Sequence, residues 1–156
     1  MTLAELKTLI QNYVQNSETT FVDTLDDIIK NTEERIFELV QFDYFRRNVQ
    51  GSMSAGSRFL TAPDDFELSF SLSIIDSNGE YHYLDKKHPS FMQEYNPDPT
   101  DSAERGVPLY YGDFDKNLNT GLKESSLIIA PVPDENYTTE LHYLYKPNSL
   151  VTDTTG

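Results

Sequence analysis

Phe66-Glu67-Leu68-Ser69-Phe70-Ser71-Leu72-Ser73-Ile74 is the stretch on which the fold turns. Apolar and polar residues alternate here without a break, a period of two that a helix cannot use and a half-buried strand requires. The alternation predicts Phe66, Leu68, Phe70, Leu72 and Ile74 on the core face of a strand. Asn78-Gly79 follows, a pair that supplies the positive φ angles of a two-residue type I′ turn, and Tyr81-His82-Tyr83-Leu84 returns. A loop of that length pairs Ile74 with Tyr83 and Asp76 with Tyr81, with both tyrosines on the core side.

Further strands are predicted downstream and upstream of this hairpin, at Arg47–Met53, Arg58–Thr61, Leu109–Phe114, Ser126–Ala130 and Tyr137–Tyr145. In the last, Tyr137, Thr139, Leu141, Tyr143 and Tyr145 share one face. Pro89–Tyr95 reads as a short helix stopped by Asn96-Pro97-Asp98-Pro99. Residues 1–41 contain neither glycine nor proline and have a different period. Leu3, Leu6, Ile10, Tyr13 and Val14 recur at helical steps, with Thr2 as N-cap and Glu5 as its capping-box partner. After a break at Asn16-Ser17-Glu18-Thr19, a longer helix carries Phe21, Leu25, Ile28, Ile29, Ile36, Leu39 and Val40 on one broad apolar stripe. The expected fold class is therefore α+β. A helical hairpin (residues 1–41) precedes an antiparallel β-sandwich-like or barrel-like domain (42–150) and a frayed tail (151–156).

The chain has 156 residues, 12 basic against 26 acidic, for a net charge of −14. A surface of that sign repels phosphate backbones and anionic lipid, which argues against a DNA-reading or membrane-binding role. The absence of cysteine removes thiol catalysis, Cys-ligated metals and disulfides. No run is apolar enough for a membrane span, and Met1-Thr2-Leu3-Ala4-Glu5 lacks the start of a signal peptide, so synthesis in the cytosol is expected.

Residues that could carry chemistry are sparse. His82, His88 and His142 form no ligand-spaced pair, and no nucleophile elbow or phosphate-cradling glycine loop occurs. No enzyme activity and no cofactor are expected. The best metal candidate places Asp113, Asp115, Asn117 and Glu124 at positions one, three, five and twelve of a calcium-type loop. Against it, Leu118 stands where such a loop needs glycine, and the flanks read as strands rather than helices. Tyr110-Tyr111, adjacent in a strand, must point to opposite faces, so one of them leaves its own sheet.

Several segments together resemble the head–tail connector (adaptor) proteins of tailed bacteriophages. They are Leu3-Ala4-Glu5-Leu6-Lys7, Glu33-Glu34-Arg35-Ile36, Arg46-Arg47-Asn48-Val49, Phe59–Phe66, Ser73–Gly79, Pro108-Leu109-Tyr110-Tyr111, and Ala130–Tyr137 running into Glu140–Tyr143. No one of them is diagnostic; the collinear series carries the resemblance.

The resemblance implies a structural virion protein: a dodecameric ring beneath the portal that extends the DNA channel and offers a platform to a tail or nozzle protein. DNA would pass through without specific binding. Relatives of this kind continue past the equivalent of Lys146-Pro147 with further helices. In such an assembly the two N-terminal helices would be the adhesive element. Arg35, Arg46, Arg47, Lys86 and Lys87 would be the scarce cations that bridge acidic neighbours, and Tyr110 and Tyr111 the aromatic contacts. The competing reading is a calcium- or ligand-binding β-sandwich interaction module, motivated by the Asp113–Glu124 loop.

Overall fold

The computed structural model describes residues 1–40, 43–117 and 124–152. The chain forms two compact units: residues 1–43 together with 147–156, and residues 44–146. The first holds α1 (Leu3–Val14) and α2 (Thr19–Leu39). Thr2 caps α1 as its sequence predicts: the hydroxyl accepts from Glu5 N–H, and the Glu5 carboxylate accepts from Thr2 N–H. Gln15 ends the helix in the left-handed region, at φ 54°. Lys7 and Asp26 join α1 to α2 at 2.6 Å, and Leu150 N–H donates to Glu33 on α2 at 3.1 Å.

The apolar stripe of α2 is largely uncovered. Leu25 and Ile29 are buried, whereas Ile28, Ile36, Leu39 and Val40 are exposed; α1 buries nothing and leaves Leu9, Tyr13 and Val14 in solvent. Two helices shield only the few positions on the line where they meet. The rest of a stripe this broad needs a third surface.

The second unit comprises β1 (Arg46–Met53), β2 (Phe59–Thr61), β3 (Phe66–Ile75), β4 (Tyr81–Tyr83), β5 (Asp85–Lys86), α3 (Pro89–Tyr95), β6 (Tyr110–Asn117), β7 (Glu124–Ala130) and β8 (Tyr137–Tyr145). The strands form two four-stranded sheets, ordered β1-β8-β3-β4 and β2-β7-β6-β5. All pairings are antiparallel except β5 with β6. The core between the sheets includes Met53, Phe66, Leu72, Ile74, Tyr111, Leu127, Ile129, Leu141 and Tyr143. A second cluster, Met92 with Ile128 and Ala130, seats α3 on the outer face of the second sheet. The architecture is a sandwich of open sheets. Among the described residues the barrel-like alternative is wrong, because β1 and β4 at the edges of the first sheet pair with no strand of the second.

Two expectations around the founding stretch are corrected. The alternation along β3 is interrupted by irregularities between Phe66 and Leu68 and between Ser69 and Ser71. Leu68 and Phe70 are consequently only half-buried, while Ser69 turns inward. Serine tolerates this because its hydroxyl finds Asp113 of the facing sheet at 2.6 Å. The hairpin is also longer than two residues: Gly79 N–H donates to Asp76 O, Asp76 N–H to Glu80 O, and only Gly79 has positive φ, at 84°. This three-residue turn ending in a bulge pairs Ser73 with Tyr83 and Ile74 with His82. The shift of one residue moves Tyr81 and Tyr83 from the core face to the exposed face.

Candidate functional site

The residues singled out in the sequence fall in both units. Arg35 is exposed on α2 in the helical unit. Arg46 and Arg47 open β1. The Arg46 guanidinium lies 4.4 Å from the centroid of the Phe70 ring. Arg47 pairs with Asp65 at 2.7 Å and sits 3.7 Å over the Tyr145 ring. The other Asp65 oxygen accepts from the Tyr143 hydroxyl at 2.8 Å. Burial, then that carboxylate, push the Tyr143 phenol up to about 12.

Lys86 and Asp113, read in the sequence as a bridging cation and a calcium ligand, are partners of each other at 2.6 Å. The Lys86 ammonium also donates to the Ser69 carbonyl, so this pair ties the two sheets together. The side chains of Asp115, Asn117 and Glu124 and the whole of residues 118–123 lie outside the described residues. The flanking segments are paired strands, β6 and β7, not the helices of an EF-hand.

Lys87 Nζ stands 5.9 Å from the Tyr110 ring, and its carbonyl lies against Gly112, where a Cβ would come within 2.5 Å of that oxygen. The two tyrosines do diverge as the strand period demands. Tyr110 packs edge-on against Phe91 and Tyr95 of α3. Tyr111 is 1% exposed in the inter-sheet core, so it has no surface to offer another chain.

A site that the sequence reading missed lies on the outer face of the first sheet. Asn48 of β1, Ser71 and Ser73 of β3, Tyr83 of β4, and Glu140 and His142 of β8 line an open cavity of about 220 Å³. Glu140 is the carboxylate of this lining. One oxygen accepts from Asn48 Nδ2 at 2.9 Å; the other accepts from Gln50 Nε2 and the Tyr81 hydroxyl, each at 3.3 Å. Those donors hold the Glu140 carboxyl below the usual carboxylate range. The carboxylate in turn raises the Tyr81 phenol above its ordinary value. Tyr81 stacks on Tyr83 with centroids 6.5 Å apart, and Tyr83 is 70% exposed. The five-residue run Asp76-Ser77-Asn78-Gly79-Glu80 was the signal that could have found this site. Glycine in the fourth position of a turn opened by aspartate fits a bulged hairpin, which alone turns both tyrosines outward.

At the tip of the same hairpin, Asp76, Glu80 and His82 bring potential ligand atoms within 4.8 Å of one another. The Asp76 carboxylate is already committed to the turn. It accepts from Asn78 and Glu80 N–H at 2.8 and 2.9 Å, and His82 Nε2 lies 3.3 Å away.

Among the described residues no helix is long and apolar enough to cross a membrane. No curated protein matches the chain. A family model described as SU10 adaptor protein matches residues 1–155.

Proposed function

The chain belongs to the SU10 adaptor protein family, a family of phage head–tail adaptors, and from that premise we propose that it assembles as a ring between portal and tail and extends the DNA channel. The exposed apolar stripe of the helical unit is the observation that carries this reading. Leu9, Tyr13, Val14, Ile28, Ile36, Leu39 and Val40 are all in solvent, more apolar surface than a two-helix unit tolerates unless another chain covers it. The helical hairpin, residues 1–41, is the assembly element, and neighbouring copies together with the portal are its partners. Arg35, exposed within that element, would be its cation for an acidic neighbour.

The acidity fits the channel. Copies at −14 each present a lumen along which a polyanion slides rather than sticks. The same charge opposes assembly, so a ring of twelve needs either salt screening or a basic portal face. Mixing the purified protein with its portal and imaging by negative-stain microscopy tests the reading. Rings stacked on the portal are the expected result, and protein that never co-sediments with the portal overturns it. A complex that weakens as salt rises identifies the basic portal face as the source of neutralisation.

A further inference from the structure

We propose that the pocket on the outer face of the first sheet receives the guanidinium group of an arginine presented by a partner protein. Its walls come from four strands: Asn48 of β1, Ser71 and Ser73 of β3, Tyr83 of β4, Glu140 and His142 of β8. They are therefore held by the ladder rather than by a loop.

The charge of the site comes first. Glu140 is fixed by three neutral donors, Asn48, Gln50 and Tyr81. Neutral donors orient a carboxylate and keep it ionised without cancelling its charge. The Lys7–Asp26, Arg47–Asp65 and Lys86–Asp113 ion pairs involve other carboxylates, and the basic group beside Glu140 in the pocket is the His142 imidazole. In a chain of net charge −14, the field around the pocket draws cations.

The shape and lining select the kind of cation. A cavity of about 220 Å³ is below the size of a drug-like ligand site and suits one side-chain head. The Tyr83 ring, braced by its stack on Tyr81, offers a π face beside the carboxylate. A planar guanidinium stacks there while donating to Glu140, a geometry a compact and strongly hydrated ammonium does not match. The Ser71 hydroxyl and the Asn48 amide carbonyl are acceptors, while Ser73, 1% exposed, donates to the Glu140 carbonyl beneath them. Guanidinium has five N–H donors and no acceptor, so it complements such a lining. Tyr81 couples the two elements, because its hydroxyl holds Glu140 and its ring holds Tyr83. Ring formation plays no part in this inference; adaptor membership supplies only the expectation of protein partners.

The full chain, ¹⁵N-labelled, is titrated with N-acetyl-arginine amide, and in parallel with the neutral isostere N-acetyl-citrulline amide and with N-acetyl-lysine amide. The expected result is a saturable, millimolar set of shifts confined to the β1, β3, β4 and β8 residues of the pocket. Citrulline should bind up to about fivefold more weakly, with lysine between the two. Glu140→Gln should reduce arginine to the citrulline level. Tyr83→Ala, at a side chain already in solvent, should weaken arginine more than lysine. Equal shifts from arginine and citrulline, shifts scattered over the acidic surface, or no saturable shift would each overturn the proposal. A protein that failed to join the portal would leave this titration unchanged, so the two readings fail separately.

Discussion

The helical unit and the β unit carry the same net charge and share almost nothing else. The first spans residues 1–43 and 147–156 with three basic and ten acidic residues; the second spans residues 44–146 with nine and sixteen. Each therefore stands at −7, but the helices concentrate it on half as many residues. Among described residues the helical unit buries Leu25 and Ile29, whereas the β unit buries apolar side chains from Met53 to Tyr143 in two clusters. One unit has an extended core of its own, and the other leaves most of its apolar stripe in solvent. If that contrast is right, equivalent truncations in the two units should act on different quantities.

The largest effect is expected from Leu127→Ala. Leu127 is fully buried between the sheets, so urea unfolding should show a loss of about 3 kcal/mol. Ile36→Ala removes similar chemistry from an exposed position of α2 and should change the free chain by no more than about 0.5 kcal/mol. Its cost should appear instead when the protein is sedimented with its portal. Equal losses in the free chain would break the comparison.

Alkaline pH should act on the β unit next most strongly. The Tyr143 phenol is pushed up to about 12 by burial and Asp65, against about 10 in an unfolded chain. A folded value above the unfolded one means the stabilisation is complete below pH 10 and is lost as pH rises toward 12. Unfolding free energies from urea titrations should fall over that window, by up to about 2–3 kcal/mol from this group. Burial and Asp134 push the Tyr137 phenol up as well, so Tyr143→Phe should flatten the slope without abolishing it. An unchanged slope in that variant would remove Tyr143 from the account.

What could be read from the sequence divides along physical lines. β8 was legible end to end because it lies between β1 and β3, where burial of one face enforces strict alternation. α3 was legible because Pro89 and the Asn96-Pro97 stop are local signals. β3 was legible as a strand but not in its facing, since whether Ser69 turns inward depends on Asp113, 44 residues away on the other sheet. The hairpin register hung on one residue of turn length, which neither apolar pattern nor β propensity resolves. The cations were visible as scarce, yet their partners were chosen by tertiary structure: Asp65 for Arg47 and Asp113 for Lys86. Polar residues from four strands lining one pocket leave no periodic trace at all.

Charge substitutions should repeat the division on a smaller scale. Arg47→Gln breaks the Asp65 pair and the contact over Tyr145. Its urea midpoint should drop by a fraction of the Leu127→Ala change, and the drop should shrink in high salt because the side chain is about half exposed, at 54%. Arg35→Gln should leave the free chain unaltered and weaken association with the portal. If Arg35→Gln destabilised the free chain as much as Arg47→Gln, Arg35 would be an internal brace rather than a contact.

The smallest change is the most diagnostic of how independent the helices are. Gln15 closes α1 at φ 54°, a left-handed conformation that costs a residue with a Cβ about 1–2 kcal/mol. Glycine removes that cost and returns part of it as unfolded-state entropy, so Gln15→Gly should stabilise the end of α1 by about 0.5 kcal/mol. α1 has twelve residues and buries none of them, and a helix of that length is marginal alone. It should therefore open without the β unit, and the gain should appear as roughly twofold slower amide exchange in α1 only. Equal slowing across β3 and β8 would mean that helices and sheets unfold together. Slowing confined to α1 would leave the helical unit short of a stabilising surface, the position a partner would fill.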